Sequence, residues 1–280
     1  MSQSEAARQQ QETRQNWILR AGAWNEQADH LARLARGLNE PLIAAAGVAP
    51  GRHVLDIASG VGEPAISMAA LVGPEGTVTA TDLVAEMLAG TERRAKDQGV
   101  TNMAFQVTPM EELPFDDDSF DAVTCRLGLM YTPSPERALG QARRVLRPGA
   151  RAAFLGWGPK ADNSQFGIVD RVLGEVAGID PHEGAFTPTR LGDDGALNKI
   201  FQAAGFSAWE EQELRFSPRV DLDSNFWRPQ LALRLGARLG EMDDGERQRI
   251  DDAMRQAYVE LLDGDRVQLR VHARIGVGTV

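Results

Sequence analysis

The sequence contains a single cysteine, Cys125, and nowhere a run of about 18 apolar residues. One cysteine excludes an intrachain disulfide, which is typical of proteins in a reducing compartment. The polar first 20 residues lack the apolar stretch of a signal peptide. We therefore expect a cytoplasmic protein without a membrane span.

Positive charge is also scarce, since 30 Lys and Arg oppose 40 Asp and Glu and give a net charge of −10. An acidic surface repels phosphate backbones, so nucleic acid is disfavoured as a partner and a small-molecule substrate is favoured. The acidic run at residues 116–118 is interpreted as a solvated turn, because consecutive acids point in different directions and no histidine lies nearby. We predict no metal site.

Strand and helix patterns alternate through the first half of the chain. Short apolar runs separated by helical segments predict five parallel strands with right-handed crossovers, at residues 53–57, 77–80, 103–107, 120–125 and 151–156. Two more strands are predicted at residues 206–216 and 266–275, the last near the sheet edge because Val267, Leu269 and Val271 alternate with polar neighbours. The fold class is therefore α/β, with a doubly wound, mostly parallel seven-stranded sheet.

The remaining segments are predicted to cover this sheet. Residues 1–48 are interpreted as an N-terminal helical lid, whose first 15 residues we expect to be frayed and solvated. Residues 49–280 form the Rossmann-like domain, with cap insertions at about 158–194 and 222–262. These insertions are expected to lie over the carboxyl ends of the strands, where such sheets bind ligands.

A glycine loop follows the first predicted strand. Gly60 and Gly62 lie between that strand and a helix, where the absence of a Cβ permits unusual dihedrals and close backbone approach. A helix amino terminus with free N–H groups attracts anions. Asp82, 20 residues after Gly62, ends the second strand and could accept hydrogen bonds from both ribose hydroxyls, cap the following helix, or do both.

The loop alone does not select the nucleotide. Residues 60–65 satisfy a dinucleotide fingerprint, which would indicate a nicotinamide-dependent oxidoreductase. Two features count against it: Asp56 lies inside the strand end, and Ala58 with Ser59 lengthens the loop. A buried carboxylate is costly without donors, which here could be backbone amides or the amino group of a methionine-like ligand.

Four ordered segments carry a family resemblance. They are residues 54–65 (VLDIASGVGEPA), 81–88 (TDLVAEML), 111–121 (EELPFDDDSFD) and 143–149 (RRVLRPG). In this order they resemble the motifs of class I S-adenosylmethionine-dependent methyltransferases, in particular the ubiquinone/menaquinone-biosynthesis-like, or methyltransferase type 11, group. The resemblance implies a Rossmann-like methyltransferase with S-adenosyl-L-methionine as cofactor.

The resemblance also implies a set of cofactor-binding residues. The family often places an acid before a small residue after the third strand to meet the adenine amino group, but Pro109 and Met110 occupy that pair here, so adenine is expected to rest on Met110 with help from Glu111. For Arg126, at the end of the fourth strand, a ligand contact and a surface salt bridge both stay open. The expected residues are Asp56, Ala58, Ser59, Gly60, Gly62, Asp82, Leu83, Met87, Met110, Glu111, Arg126 and, from the lid, Trp24.

The expected reaction is in-line displacement of the cofactor's methyl group by a small acceptor. Such a site mainly holds both partners in line and excludes water. We expect O- or C-methylation of a lipophilic or aromatic secondary metabolite, a quinone or an isoprenoid. His182, in the first cap insertion, is the candidate base, with a bystander role as the alternative. A non-catalytic S-adenosylmethionine-binding protein and a homodimer stay open.

Overall fold

The structure, a computed structural model, describes residues 3–180, 187–236 and 238–280. The first half contains α1 (Gln3–Glu26), α2 (Ala28–Ala46), β1 (His53–Ile57), α3 (Ala65–Val72), β2 (Thr77–Asp82), α4 (Ala85–Asp97), β3 (Met103–Val107), β4 (Phe120–Arg126), α5 (Pro135–Val145) and β5 (Leu146–Trp157). The second half contains α6 (Ser164–Ala177), α7 (Ala196–Ala203), β6 (Ala208–Phe216), β7 (Arg219–Val220), α8 (Arg228–Leu235), α9 (Arg238–Glu241), α10 (Asp244–Val259), β8 (Leu262–Asp263), β9 (Arg266–Gln268) and β10 (Val271–Thr279).

Seven strands form the main sheet in the order β3-β2-β1-β4-β5-β10-β6. Strands β1 to β5 pair in parallel, and β10 runs antiparallel to both β5 and β6. Apolar clusters cover both faces, one beneath α2 and α3 and the other beneath α5 and α7. The predicted doubly wound, mostly parallel seven-stranded sheet is confirmed.

The predicted last strand was wrong in two respects. Residues 266–275 do not form one strand, because β9 pairs with β7 and β8 in a separate three-stranded sheet. Strand β10 begins only at Val271 and lies inside the main sheet, while β6 forms its edge. The alternation of residues 267–271 therefore spans the junction of two strands. Residues 272–278 are buried on both faces, as an interior strand requires.

The cap has a core of its own. Helices α6, α8 and α10 and the small sheet bury a cluster that includes Leu173, Trp227, Met254 and Tyr258. The rings of Trp227 and Tyr258 stack with centroids 5.7 Å apart, and the Trp227 Nε1 donates to an Asp251 carboxylate oxygen 2.9 Å away. The two segments predicted as cap insertions thus pack together, although the division of the chain into domains stays a prediction.

Residues 3–15 are helical rather than frayed, contrary to our expectation, although most of the side chains from residue 5 to 15 are exposed or half-buried. Helix α1 covers residues 3–26, and its Thr13 is buried. Its later turns place Trp17, Ala21 and Trp24 in an apolar cluster with Val61, Val84 and Met87. Residues 3–15 continue this helix because Gln, Glu, Ala and Arg are good helix formers, so a polar composition did not indicate disorder. None of the described helices has the length and apolarity to cross a membrane.

Candidate functional site

A pocket lies at the carboxyl ends of β1, β2 and β4, beneath α1. The loop after β1 forms its floor from residues 57–61, and Asp82 and Leu83 close one side. Helix α1 contributes Gln10, Thr13, Trp17 and Trp24 as a roof. The parallel strand ends therefore meet the amino-terminal lid at one site, as expected for an open α/β sheet.

The two loop glycines have different roles. Gly60 has a φ of +55°, and a Cβ added to it would meet nothing within 4 Å, so its backbone borders open pocket. Gly62 has a φ of +111°, and its added Cβ would lie 2.7 Å from the Ile66 Cδ1. Gly62 does not line the pocket. Because Gly62 has no side chain, the following helix can pack closely against the loop. Because Gly60 has none, a ligand has room against the backbone.

Backbone strain gathers at this pocket. Ala58 and Leu127, both in its lining, have φ values of +55° and +60°, in the left-handed region that non-glycine residues seldom adopt. Each lies just beyond the end of a strand, β1 or β4. Such conformations cost of order 1–3 kcal/mol and cluster at ligand sites, where the surrounding structure holds them in place.

The Asp82 carboxylate accepts a backbone hydrogen bond on each of its two oxygens. One carboxylate oxygen accepts from the Gly60 N–H at 2.9 Å, and the other accepts from the Val84 N–H at 3.0 Å, just before α4. Each oxygen retains further acceptor capacity toward the pocket. Burial raises the pKa of Asp82 to about 6, opposed by these hydrogen bonds. The group is therefore an anionic acceptor at neutral pH, suited to a pair of hydroxyls.

Asp56 is fully buried beneath the glycine loop. Its Oδ1 accepts from the Thr124 hydroxyl at 2.7 Å, but its Oδ2 has no hydrogen-bond partner in the described part of the chain. Burial raises the pKa of Asp56 to about 7. Although Asp56 does not itself line the pocket, it lies next to residues 57–61, so a ligand with an ammonium or sulfonium group would stabilise its carboxylate.

Arg126 lies in the pocket rather than on the surface. Its Nε donates to the Glu63 carbonyl oxygen at 3.1 Å, and its side chain is half-buried in the lining. Burial lowers the pKa of Arg126, while the negative charges of Asp56 and Glu63 raise it. No ion pair to Arg126 occurs among the described residues, and its contact with a ligand stays a prediction.

The adenine side of the expected site is the turn after β3. Met110 and Glu111 both line the pocket, and Glu111 is buried. Its carboxylate accepts from the Thr132 hydroxyl and from the Gln10 amide nitrogen at 3.4 Å. An acidic acceptor is thus present although Pro109 stands where the family often has one.

Aromatic side chains form the roof. Trp17 packs edge-on against Trp24 at 5.5 Å and against Tyr131 at 5.1 Å between ring centroids. The Trp24 Nε1 is buried without a partner among the described residues. Sequence reasoning missed Gln10, Thr13 and Tyr131 as pocket residues. Tyr131 could have been predicted as a pocket residue, because it is one of two tyrosines and follows the end of β4 within five residues.

The structure brings most of the predicted site together. Asp56 and Gly62 are outside the lining, as described above, and His182, the candidate base, lies outside the described residues. Over residues 3–180, 187–236 and 238–280, no group of three metal-binding side chains occurs. The predicted residues that line the pocket are Trp24, Ala58, Ser59, Gly60, Asp82, Leu83, Met87, Met110, Glu111 and Arg126.

The same region of the chain matches a known family. The model of the ubiE/COQ5 methyltransferase family matches residues 38–160. A ubiquinone/menaquinone biosynthesis C-methyltransferase of Idiomarina loihiensis is 30% identical over 184 residues, which are 61% of this chain and 73% of that protein. The chain belongs to the ubiE/COQ5 methyltransferase family. This membership confirms the resemblance, the class of S-adenosylmethionine-dependent methyltransferase and the cofactor of that class.

Other relatives match a shorter stretch. An uncharacterized protein of Mycobacterium tuberculosis is 40% identical over 116 residues, 41% of each chain. A ubiquinone/menaquinone biosynthesis C-methyltransferase of Ectopseudomonas mendocina is 42% identical over 114 residues, 40% of this chain and 44% of that one. The chain thus spans less than half the length of these curated relatives.

Solved structures confirm the fold over a larger part of the chain. A putative methyltransferase of Bacillus halodurans superposes with a TM-score of 0.58 at 20% identity, covering 86% of this chain and 97% of that one. The YcgJ protein of Bacillus subtilis gives a TM-score of 0.56 at 20% identity, covering 86% and 96%. The methyltransferase-type Rossmann-like architecture therefore extends well beyond residues 38–160.

Proposed function

We propose that this protein transfers a methyl group from S-adenosylmethionine to a carbon or oxygen atom of a small lipophilic or aromatic acceptor. One observation carries the proposal. The anionic Asp82 and the bare backbone of Gly60 face a pocket whose opposite wall is aromatic, supplied by Trp17, Trp24 and Tyr131. The wall with Asp82 can bind a sugar, and the aromatic wall can bind an aromatic ring or a sulfonium group.

The residues present fit this cofactor. Asp82 would accept hydrogen bonds from the ribose hydroxyls, and Gly60 would leave space for the ligand against its backbone. The unpartnered Oδ2 of Asp56 supplies negative charge for the methionine ammonium, and Arg126 supplies positive charge for its carboxylate. Met110 and Glu111 would contact adenine, in line with the sequence-based assignment.

The bound cofactor would supply a methyl group already activated by its positive sulfonium sulfur. The protein then has to orient the acceptor and exclude water, and the half-buried rings of Trp17 and Tyr131 next to the pocket are suited to both tasks. A base is required only for an acceptor that reacts after losing a proton. His182 stays a prediction for that role.

The acceptor class rests on the relatives and on the aromatic wall. Curated relatives are named as C-methyltransferases of ubiquinone and menaquinone biosynthesis, which favours a quinol-like ring as acceptor. The net charge of −10 favours a small molecule over nucleic acid. We further propose a cytoplasmic location, in line with the single cysteine, and leave a homodimer as an additional proposal.

Two measurements test the proposed function. Mass spectrometry of the small molecules released from the purified, denatured protein should detect S-adenosylmethionine or S-adenosylhomocysteine, whereas a nicotinamide dinucleotide would contradict the proposal. The protein should then move a labelled methyl group from S-adenosylmethionine to 1,4-naphthohydroquinone, and NMR of the product would distinguish carbon from oxygen methylation. Binding without any transfer, over a panel of phenols and quinols, would favour the non-catalytic alternative.

A further inference from the structure

Two side chains of α4 donate to carbonyl oxygens of the glycine loop. The Thr91 hydroxyl donates to the Gly60 carbonyl oxygen at 2.9 Å, and the Arg94 Nη1 donates to the Val61 carbonyl oxygen at 2.6 Å. Thr91 is fully buried, and the Arg94 side chain is 14% exposed. The peptide groups on both sides of Val61 are therefore held by one turn of α4.

Arg94 also contacts the lid and the end of the glycine loop. Its Nε donates to an Asp29 carboxylate oxygen at 3.2 Å, in the first turn of α2, and its Nη2 lies 3.9 Å from a Glu63 carboxylate oxygen. The Glu63 carboxylate in turn accepts from the Asn39 amide nitrogen at 3.3 Å and from the Ser67 hydroxyl at 2.6 Å. One guanidinium group thus connects α4 with the loop and with α2 of the lid.

The three contacts of Arg94 differ in strength. The Asp29 side chain is 79% exposed, so its ion pair with Arg94 contributes little in water. The pair with Glu63 is longer than a hydrogen bond. The hydrogen bond to the Val61 carbonyl oxygen is short and comes from a charged donor that is mostly shielded from solvent, which makes it the strongest of the three. Loss of Arg94 would therefore release the loop more than the lid.

The backbone that Arg94 holds borders the cofactor pocket. Val61 lines this pocket, and its buried side chain belongs to the apolar cluster of Ala21 and Trp24 in α1. A Cβ added to Gly62 would lie 3.0 Å from the Arg94 Nη1, so the absence of that side chain allows the guanidinium to approach the loop. A loop that moved away from Arg94 would change both the pocket wall and its contact with the lid.

We propose that Thr91 and Arg94 are positioning residues of the cofactor site, which hold the Val61 backbone in the conformation that binds the cofactor. Neither side chain lines the pocket, so both act through the loop. The inference rests on the proposed function, because it takes this pocket as the site of S-adenosylmethionine. Without the two donors the loop would become ordered only on binding, and the entropy lost in ordering it would lower the affinity.

The first test compares two neighbouring arginines of α4. Arg94→Met keeps an unbranched side chain but removes every donor. Arg93→Met is the matched control, because the exposed Arg93 donates to the Asn25 side-chain oxygen of the lid at 3.3 Å and not to the loop. Calorimetry on the folded full chain should show S-adenosylhomocysteine binding about tenfold weaker for Arg94→Met and changed by less than about twofold for Arg93→Met.

The second test separates positioning from a general loss of stability. The Gly60 and Gly62 amides donate within the structure, to Asp82 and to the Ser59 carbonyl oxygen, so their hydrogen exchange reports the loop. In ligand-free Arg94→Met these amides should exchange faster than in the wild type, and by a larger factor than the amides of β4, which report global unfolding. Saturating S-adenosylhomocysteine should restore the slow exchange.

Thr91→Val provides a variant of nearly the same shape as the wild type. It replaces one β-branched side chain by another and removes only the hydroxyl that donates to the Gly60 carbonyl oxygen. We expect S-adenosylhomocysteine affinity to fall about threefold or more and exchange of the loop amides to rise as in Arg94→Met. This variant carries the test if Arg94→Met does not fold.

Three results would overturn the assignment. They are unchanged affinity in the folded α4 variants, an equal loss for Arg93→Met and Arg94→Met, and loop exchange that rises only in proportion to that of β4. A wild-type protein that fails to bind S-adenosylhomocysteine would contradict the proposed function instead. The exchange comparison of the ligand-free proteins would then still decide whether Thr91 and Arg94 hold the loop.

Discussion

The two sides of the cofactor pocket are built in different ways. The sheet side uses backbone and short acidic side chains at strand ends, such as Gly60 and Asp82, within the stretch of residues 38–160 that matches the family. The lid side uses large side chains of α1, such as Trp17. The family match thus covers the strand ends on one side of the pocket, whereas α1 and the cap lie outside the matched residues.

The largest effect on ligand binding is expected on the sheet side. Gly60→Val should reduce S-adenosylhomocysteine affinity more than 100-fold, because a branched side chain at φ +55° would project into the pocket and strain the loop. Gly99→Val is the matched control, since Gly99 also has a positive φ, of +70°, and open space around it, but lies far from the loop at the end of α4. Calorimetry on both folded variants makes the comparison. Equal affinities would mean that Gly60 does not border the ligand.

A change in the cap should separate stability from cofactor binding. Trp227→Ala removes a fully buried ring from the core of the cap and should lower the free energy of unfolding by about 3–5 kcal/mol, measured in urea. Trp209→Ala, at a 40% exposed position on β6, should cost far less. S-adenosylhomocysteine affinity of the folded Trp227 variant should stay within about threefold of the wild type, a change below about 1 kcal/mol. A parallel loss of affinity would show that cap and cofactor pocket are one unit.

Asp82→Ala tests the acidic acceptor on the sheet side. We expect a loss of about 1.5–3 kcal/mol in S-adenosylhomocysteine binding, the scale of hydrogen bonds to a charged group. Asp97→Ala, which removes an exposed acid from the last turn of α4, is the control for net charge. If calorimetry gives unchanged affinity for a folded Asp82 variant, this carboxylate only caps the helix and fixes the loop.

The smallest effect concerns the stability of the ligand-free protein. Burial raises the pKa of Asp56 to about 7, so folding favours the neutral form of this side chain. The free energy of unfolding therefore has its full value below about pH 4, where Asp56 is neutral in both states, and it decreases as the pH rises through 7. Asp56→Asn cannot ionise, so it should be more stable than the wild type by about 1–2 kcal/mol at pH 8 and not at pH 5. Urea unfolding at the two pH values measures this.

The same variant should respond differently from the wild type when the cofactor product is added. Wild type should gain more stability from S-adenosylhomocysteine than the Asn variant does, because only the carboxylate attracts the ligand's ammonium group. An Asn variant that is less stable than the wild type at pH 8 would show that Asp56 is stabilised by partners already within the fold.

Much of the sheet side could be predicted from sequence, because its determinants are local. The strand that ends at Ile57, the loop glycines and Asp82 lie within about 30 residues of one another, and each follows from a turn or strand-end rule. The alternation at residues 267–271 misled because two strands of different sheets adjoin there. Local patterns do not report which sheet a strand joins.

The lid side could not be predicted in the same way. Trp17 and Tyr131 meet only through the packing of α1 against the turn after β4, and their separation in sequence exceeds 100 residues. Gln10 and Thr13 were not predicted as pocket residues because they lie in the polar first turns of α1. They line the cofactor pocket, although their neighbours in sequence face solvent. Contacts between distant helices follow from tertiary packing, which a single sequence does not encode as a motif.

Hydrogen exchange of the full chain with and without S-adenosylhomocysteine shows whether the strand ends and α1 together enclose the cofactor. We predict that amides of residues 13–24 and 58–62 exchange more slowly when the ligand is bound, because both segments line or adjoin the pocket. Amides of α10, in the core of the cap, should not change. If amides of residues 13–24 exchange equally fast at saturating ligand, α1 does not cover the bound cofactor and the proposed enclosure is wrong.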